Sequence, residues 1–284
     1  MISYIVLHYK NVNDTLECLE SLRLIISKKS HIIIVDNNTL NENDENRLKT
    51  YTSDILKLDR NNGFAKANNK GIQYAKEKYN SKYYVVINND VLINQKTFEN
   101  NIIENFKKYS FDMLGPKINS PSGESVNPFP AYKNICDVNR EIKRCKKLMV
   151  IYNSCILSFL LKIYIKFKHF IKSPNLISNG VRLEKIVPLH GCAIIFSDKY
   201  LNKYEYAFYN ETFLYHEEEF LYQRVLNDHL VSIYDPKIEV FHKEGSSLNN
   251  LYQNNRKKLL FQMKEKIKSL NLLRKFMEDN YEEK

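Results

Sequence analysis

Tyr83-Tyr84-Val85-Val86-Ile87-Asn88-Asn89-Asp90 decides the fold. Five aromatic and aliphatic residues in a row are too few for a helix and read as a buried strand. The run then stops at three polar residues. The same grammar occurs twice upstream. Ile2–His8 is apolar and β-branched, and Ile32-Ile33-Ile34-Val35 stops at Asp36-Asn37-Asn38. Helical spacing fills the gaps. Leu16, Leu19, Leu22 and Ile26 follow a start at Asn13 or Asp14, and Phe64–Tyr79 follows the turn Asn61-Asn62-Gly63. Ile55–Leu58 reads as a further strand. Strands alternating with helices at this spacing predict an α/β fold with a mainly parallel, mixed sheet flanked by helices. Ligands of such sheets bind at the carboxyl ends of the strands.

The alternation breaks near Pro116–Pro130, which is rich in Pro, Ser, Gly and Asn. Strand character resumes at Cys192–Phe196. The acidic cluster His216-Glu217-Glu218-Glu219 and a short helix, Phe220–Asn227, come next. Val231–Tyr234 and Ile238–Phe241 read as two strands, and the chain from Leu251 onward reads as helix.

Charge separates the segments. The 284 residues carry a net +10. Ala131–Asn175 holds ten Lys/Arg against Asp137 and Glu141, and Arg256–Met277 holds eight against Glu265. The remainder is therefore mildly acidic. The stripe Leu148, Tyr152, Cys155, Phe159, Ile163 and Phe167 predicts an amphipathic helix over Leu148–Ile171, flanked by lysines. An apolar face with basic borders suits an anionic membrane surface better than nucleic acid, which needs no such apolar face. No apolar run reaches the roughly 20 residues of a membrane span. The first residues show neither a basic n-region nor a small-residue cleavage site. Five scattered cysteines lack Cys-x-x-Cys spacing, so neither a disulfide framework nor a zinc site is expected. A cytoplasmic protein, peripheral on the inner face of the membrane, is the expectation.

Two clusters carry chemistry. A carboxylate at Asp90, just past a buried strand, suits a hard divalent cation, because Mg²⁺ or Mn²⁺ needs few protein ligands beside substrate phosphates. The carboxylates at Glu217, Glu218 and Glu219 either complement a helix N-terminus or supply a general base. His242 follows a short strand.

Taken in order, these pieces resemble the family 2 glycosyltransferases, particularly the bacterial rhamnosyltransferase-like branch. The resemblance runs through Thr15–Leu22, Ile34-Val35-Asp36-Asn37, Asn61–Ala65, Asn68–Ile72, Ile87-Asn88-Asn89-Asp90 and Gly115–Ile118. It continues at His190-Gly191-Cys192-Ala193, Phe213–Glu218 and Val240–Lys243, so that most of residues 1–120 and 187–262 are covered. It implies a GT-A fold, a dTDP- or UDP-sugar donor, a Mg or Mn ion and inversion at the anomeric carbon. Transferred to this chain, Asp36 and Asn37 meet the nucleoside. Asn62 and Gly63 let backbone approach the nucleotide. Asn88, Asn89 and Asp90 stand at the metal motif, with Asp90 as ligand and His242 completing the site. Glu218, or its neighbour Glu217, is the base. The motif opens with Asn88 rather than Asp, which lowers its charge, and the base is Glu rather than Asp.

The resulting organisation is a nucleotide-sugar half (1–125), a basic helical insert (126–187), an acceptor and catalytic half (188–248) and a C-terminal helical segment (249–284). The implied product is bacterial surface polysaccharide, built on a glycan or lipid-linked acceptor. The rival is a noncatalytic nucleotide-sugar-binding or scaffold protein on the same fold.

Overall fold

The structure is a computed structural model that describes residues 1–123, 125–154, 182–243 and 256–282. It divides into two compact units. The first comprises Met1–Ala131, Gly180–Phe213 and Glu217–Glu244, and the second Tyr132–Asn179, Leu214–His216 and Gly245–Lys284.

The first unit is built on a nine-stranded sheet. Its strands are β1 (Ile2–His8), β2 (His31–Asp36), β3 (Ile55–Lys57), β4 (Tyr83–Asn88), β5 (Val91–Leu92), β6 (Met113–Asn119), β7 (Glu184–Lys185), β8 (Ala193–Ser197) and β9 (Ser232–His242). The order across the sheet is β3-β2-β1-β4-β8-β6-β9-β5, with β7 also on β9. β3, β2, β1 and β4 are parallel, β8 runs antiparallel to both β4 and β6, and β6 and β9 are parallel again. The helices of this unit are α1 (Val12–Arg23), α2 (Glu42–Leu48), α3 (Ala65–Tyr79) and α4 (Phe98–Tyr109). Asp198–Lys203 and Glu217–Asn227 form two more, α6 and α7.

Both faces of the sheet are covered, which is why its central strands read as unbroken apolar runs. Tyr4 and Val6 of β1 face a core with Cys18, Leu19 and Leu22 of α1 and Phe98 and Ile102 of α4. Ile5 and Leu7, one residue out of phase, face a second core with Ala65, Ile72 and Ala75 of α3 and Leu221 and Val225 of α7.

Several boundaries differ from the sequence reading. α1 is capped by Asn11, whose side chain accepts from Asn13 N, rather than by Asn13 or Asp14. A cap must lie outside the helix to meet its free N–H groups. The expected break at Pro116 is the middle of β6. The register on β9 shifts between Pro116 and Lys117, a bulge that tolerates a residue without an N–H. The same shift joins the two expected strands around Pro236 into the single β9. α7 starts at Glu217 rather than Phe220, so the acidic cluster is its first turn.

The second unit contains α5 (Ile135–Asn153) and α8 (Arg256–Glu282), which pack together. α5 begins well before the expected Leu148, and Ser154 after it is extended. The predicted stripe is therefore not carried by one continuous helix, and its remainder beyond Ser154 lies outside the described residues. Leu214–His216 belongs to this unit too. Tyr215 (φ +74°) and His216 (φ +67°) are both left-handed, a conformation that costs roughly 1–2 kcal/mol for each residue with a Cβ.

Candidate active site

Parallel alignment brings the carboxyl ends of β1, β2, β3 and β4 to one edge, and the predicted site residues lie at or just after the ends of β2, β3 and β4 or on β9 and α7. At the end of β2, Asp36 is buried, and its Oδ1 accepts from the backbone N–H of Thr39 (2.8 Å) and Leu40 (3.2 Å), which turns the chain out of the sheet. The buried Asn37 works in the opposite direction. Its Nδ2 donates to Gly63 O (3.0 Å), and its Oδ1 accepts from Asn62 N (2.8 Å), so one carboxamide fixes the Asn61-Asn62-Gly63 turn. Gly63 has φ +76°, and a Cβ there would lie 2.1 Å from Phe213 O. The space its missing side chain leaves is thus filled by Phe213, whose carbonyl also accepts from Phe64 N at 2.8 Å.

After β4, Asn88 N donates to Cys192 O (3.0 Å). Asn89 Nδ2 donates to Thr15 Oγ1 (2.9 Å) and Asn11 O (3.2 Å), which ties the loop to the start of α1. Thr15 Oγ1 also lies 2.6 Å from His8 Nδ1. Burial pushes the His8 pKa down, although the Asp36 carboxylate favours its charge. Its Nε2 is buried and has no hydrogen-bond partner among the described residues.

Asp90 meets His242 directly: Oδ1 to Nε2 is 3.2 Å. The short ladder between β5 and β9 pairs Val91 with His242, and Lys243 N donates to Asp90 O (3.0 Å), so backbone geometry holds both side chains. Lys243 Nζ reaches Asp14 Oδ1 (2.5 Å) and Glu17 Oε2 (2.7 Å) on α1. The His190 ring lies 6.5 Å from that of His242. Cys192 N donates to His190 Nδ1 (3.2 Å), and His190 N donates to Asn127 Oδ1 (2.7 Å), which fixes the His190-Gly191 loop. On Gly191, an added Cβ would stand 3.7 Å from Glu218 Oε2 and 3.7 Å from Phe64 Cζ. A continuous path therefore runs from Asp90 through His242 and the His190-Gly191 loop to Glu218. Within the first turn of α7, Glu217 and Glu219 are buried while Glu218 is more open. Three carboxylates there are favoured by the helix dipole. Arg224 anchors the helix further along through Tyr200 Oη and Ala207 O (both 2.9 Å).

Among the described residues, no group of three His, Cys, Asp or Glu side chains gathers to hold a metal. The Asp90–His242 pair alone still fits one. Two cis ligands of an octahedral ion at about 2.1 Å stand about 3 Å apart, close to the 3.2 Å between Oδ1 and Nε2. An oxygen and an imidazole nitrogen suit Mn²⁺, with phosphate and water completing the shell.

His8, Thr15 and His190 were not singled out as site residues in the sequence. The signal for His8 is a polar residue closing an apolar strand, directly opposite Asp36 and one position beyond the partner of Asn88.

Residues 3–203 match the family described as Glycosyl transferase family 2. The low-salt glycan biosynthesis hexosyltransferase Agl10 of Haloferax volcanii is 27% identical over 133 residues, 45% of this chain and 40% of that protein. The chain thus matches less than half the length of that curated relative. Among solved structures, S. aureus TarS residues 1–349 in complex with UDP superposes with TM-score 0.53 at 14% identity, over 92% of this chain and 64% of that one. The mannosyltransferase PcManGT of Pyrobaculum calidifontis, in complex with GDP-Man and Mn²⁺, gives TM-score 0.54 at 11% identity, over 92% and 62%. At such identities the likeness is one of fold, and the fold is the expected mixed α/β GT-A type. With more than half of its length matched, the chain belongs to glycosyl transferase family 2.

Proposed function

We propose that the protein is an inverting, metal-dependent glycosyltransferase that moves a sugar from a nucleoside diphosphate donor to a hydroxyl of a glycan or lipid-linked acceptor. The observation that carries this reading is the path from the Asp90–His242 pair, 3.2 Å apart, through the His190-Gly191 loop to Glu218. Asp90 and His242 would hold a Mg or Mn ion against the donor diphosphate. When bound, that ion neutralises the charge that grows on the leaving diphosphate. Asp36 and Asn37 shape the turns that receive the nucleoside. Glu218, more open than Glu217 and Glu219, accepts the proton of the attacking hydroxyl.

The donor is a UDP-, GDP- or dTDP-sugar. The rhamnosyltransferase-like motifs support rhamnose on dTDP, whereas TarS and PcManGT are described with UDP and GDP-Man. The product we propose is bacterial surface polysaccharide. Among the described residues no helix is long and apolar enough to cross a membrane. The basic residues of α5 and α8, with Val150 and Phe261 exposed on the same unit, support a cytoplasmic protein that rests on an anionic membrane carrying its acceptor.

Thermal unfolding with UDP, GDP, dTDP and their sugars, with and without Mn²⁺, tests the reading. Ligands that bind only the native state raise the midpoint. A Mn²⁺-dependent rise with one nucleotide class, followed by sugar transfer or donor hydrolysis, is expected. A rise with no turnover would instead favour the noncatalytic binding protein, and no rise with any nucleotide would overturn both.

A further inference from the structure

We propose that the start of α1 holds both halves of the Asp90–His242 pair in place, with Thr15 and Lys243 as the positioning residues. The proposal rests on the reading of that pair as a cation site. The pair is joined through a ladder of two rungs, Val91 with His242 and Leu92 with Phe241. So short a ladder is marginal on its own. Asp90 and Lys243 lie just beyond its end, where the bond from Lys243 N to Asp90 O (3.0 Å) carries it one step further.

Contacts with α1 extend this hold on each side. On the Asp90 side, Asn89 Nδ2 donates to Thr15 Oγ1 (2.9 Å) and to Asn11 O (3.2 Å). Thr15 is wholly buried and its hydroxyl also meets His8 Nδ1 (2.6 Å), so it cannot turn away from Asn89 without losing both. On the His242 side, Lys243 Nζ meets Asp14 Oδ1 (2.5 Å) and Glu17 Oε2 (2.7 Å). Asn11 caps α1, and Asp14, Thr15 and Glu17 fall within its first two turns. The helix is itself fixed to the sheet by Cys18, Leu19 and Leu22, all wholly buried. One anchored element therefore grips residues 89 and 243, the chain neighbours of the two ligands.

Two ligands act as one site only if their separation is kept to within about 0.5 Å. Without the grip at 89 or at 243, the ion itself must order the pair, and affinity falls by that cost. Contacts that orient metal ligands are worth roughly 10–100-fold in metal affinity. These act one residue away, so the lower end applies. Lys243 makes the sign informative. By charge alone, removing a cation beside the site and freeing Asp14 and Glu17 should tighten Mn²⁺ binding. As part of a brace, its loss should weaken it.

The test uses the full-length chain with Thr15→Val and Lys243→Met, and with Thr15→Ser and Lys243→Arg, which keep the hydroxyl and the charge. Mn²⁺ is titrated with UDP, GDP and dTDP in parallel, and its half-saturating concentration is read from the rise in thermal midpoint. Amide hydrogen exchange at 88–91 and 241–243 is followed without metal. Thr15→Val and Lys243→Met should each raise the half-saturating Mn²⁺ about tenfold and speed exchange, and the conservative variants should restore both. An unchanged or lower half-saturation in Lys243→Met would overturn the proposal, even if Thr15→Val fails to fold. So would wild-type exchange in both variants, which would show that nothing had been released. A wild-type protein that gains nothing from Mn²⁺ removes the metal reading and the brace with it. A gain lost in Asp90→Asn but kept in Thr15→Val and Lys243→Met removes the brace alone.

Discussion

Gly63 stands so close to the carbonyl of Phe213 that a Cβ on it would fall 2.1 Å from the oxygen. The turn after β3 and the segment before α7 are thereby locked together, and Phe64 N adds a hydrogen bond to the same carbonyl. Gly63→Ala must both accept φ +76° and push this contact apart. The expected loss is about 3 kcal/mol, read as a lower urea midpoint. A midpoint equal to that of the wild type would show that the two segments separate freely.

Asp90→Asn keeps the shape of the side chain and removes its charge. It should abolish the part of the nucleotide-induced thermal shift that depends on Mn²⁺, and His242→Ala should do the same. A full Mn²⁺ effect in either variant would move the metal away from this pair.

Glu218→Gln should lower turnover by roughly 10²–10⁴ with nucleotide binding retained, whereas Glu217→Gln should stay within a few-fold. The reverse order would transfer the base to Glu217. Steady-state nucleotide release from each purified variant makes the comparison.

His216 carries a pH signature. Burial, helped by the positive charge of Lys266, pushes its pKa down from 6.5 to about 4. The unfolded chain thus takes up a proton more readily than the folded one. Stability is retained above about pH 6.5 and falls as the pH drops toward 4, by about 3 kcal/mol from this residue alone. His8 and His31, whose pKa values are also lowered, act in the same direction. His216→Asn should flatten the fall between pH 6.5 and 4. Denaturant titrations with equal pH slopes for variant and wild type would refute this.

The basic unit should bring the protein down with vesicles containing phosphatidylserine and leave it in solution with phosphatidylcholine alone, the difference vanishing at high salt. Equal sedimentation with both would exclude an electrostatic attachment.

The parallel half of the fold was legible because strands buried on both faces are written as unbroken apolar runs, and β1, β2 and β4 are such runs. α2 was missed because the short polar helix Glu42–Leu48 carries little period, whereas α4 was overlooked although Phe98, Ile102, Phe106 and Tyr109 recur at helical spacing. β6 was hidden by Pro116, which reads as a breaker unless the bulge opposite is known. At the site, Asp90 and His242 were both visible as polar residues at strand ends. Their meeting was expected only through the family resemblance, because it depends on β9 pairing with β5 across some 150 residues of sequence, which leaves no local signal. The left-handed Tyr215-His216 pair had no signal at all: such dihedrals contradict local preference and are imposed from elsewhere in the chain.

The strand order has a consequence for synthesis. β4 waits on β8 for its second neighbour, and β5 waits on β9. A nascent chain that has left the ribosome only as far as residue 120 displays the bare edge of β4 and holds Asp90 without its partner His242. The Asp90–His242 pair can form only once residue 242 has been made. Until then the unpaired edge invites pairing between neighbouring nascent chains, so slow codons or stalling before that point should cost soluble yield more than the same delay after it.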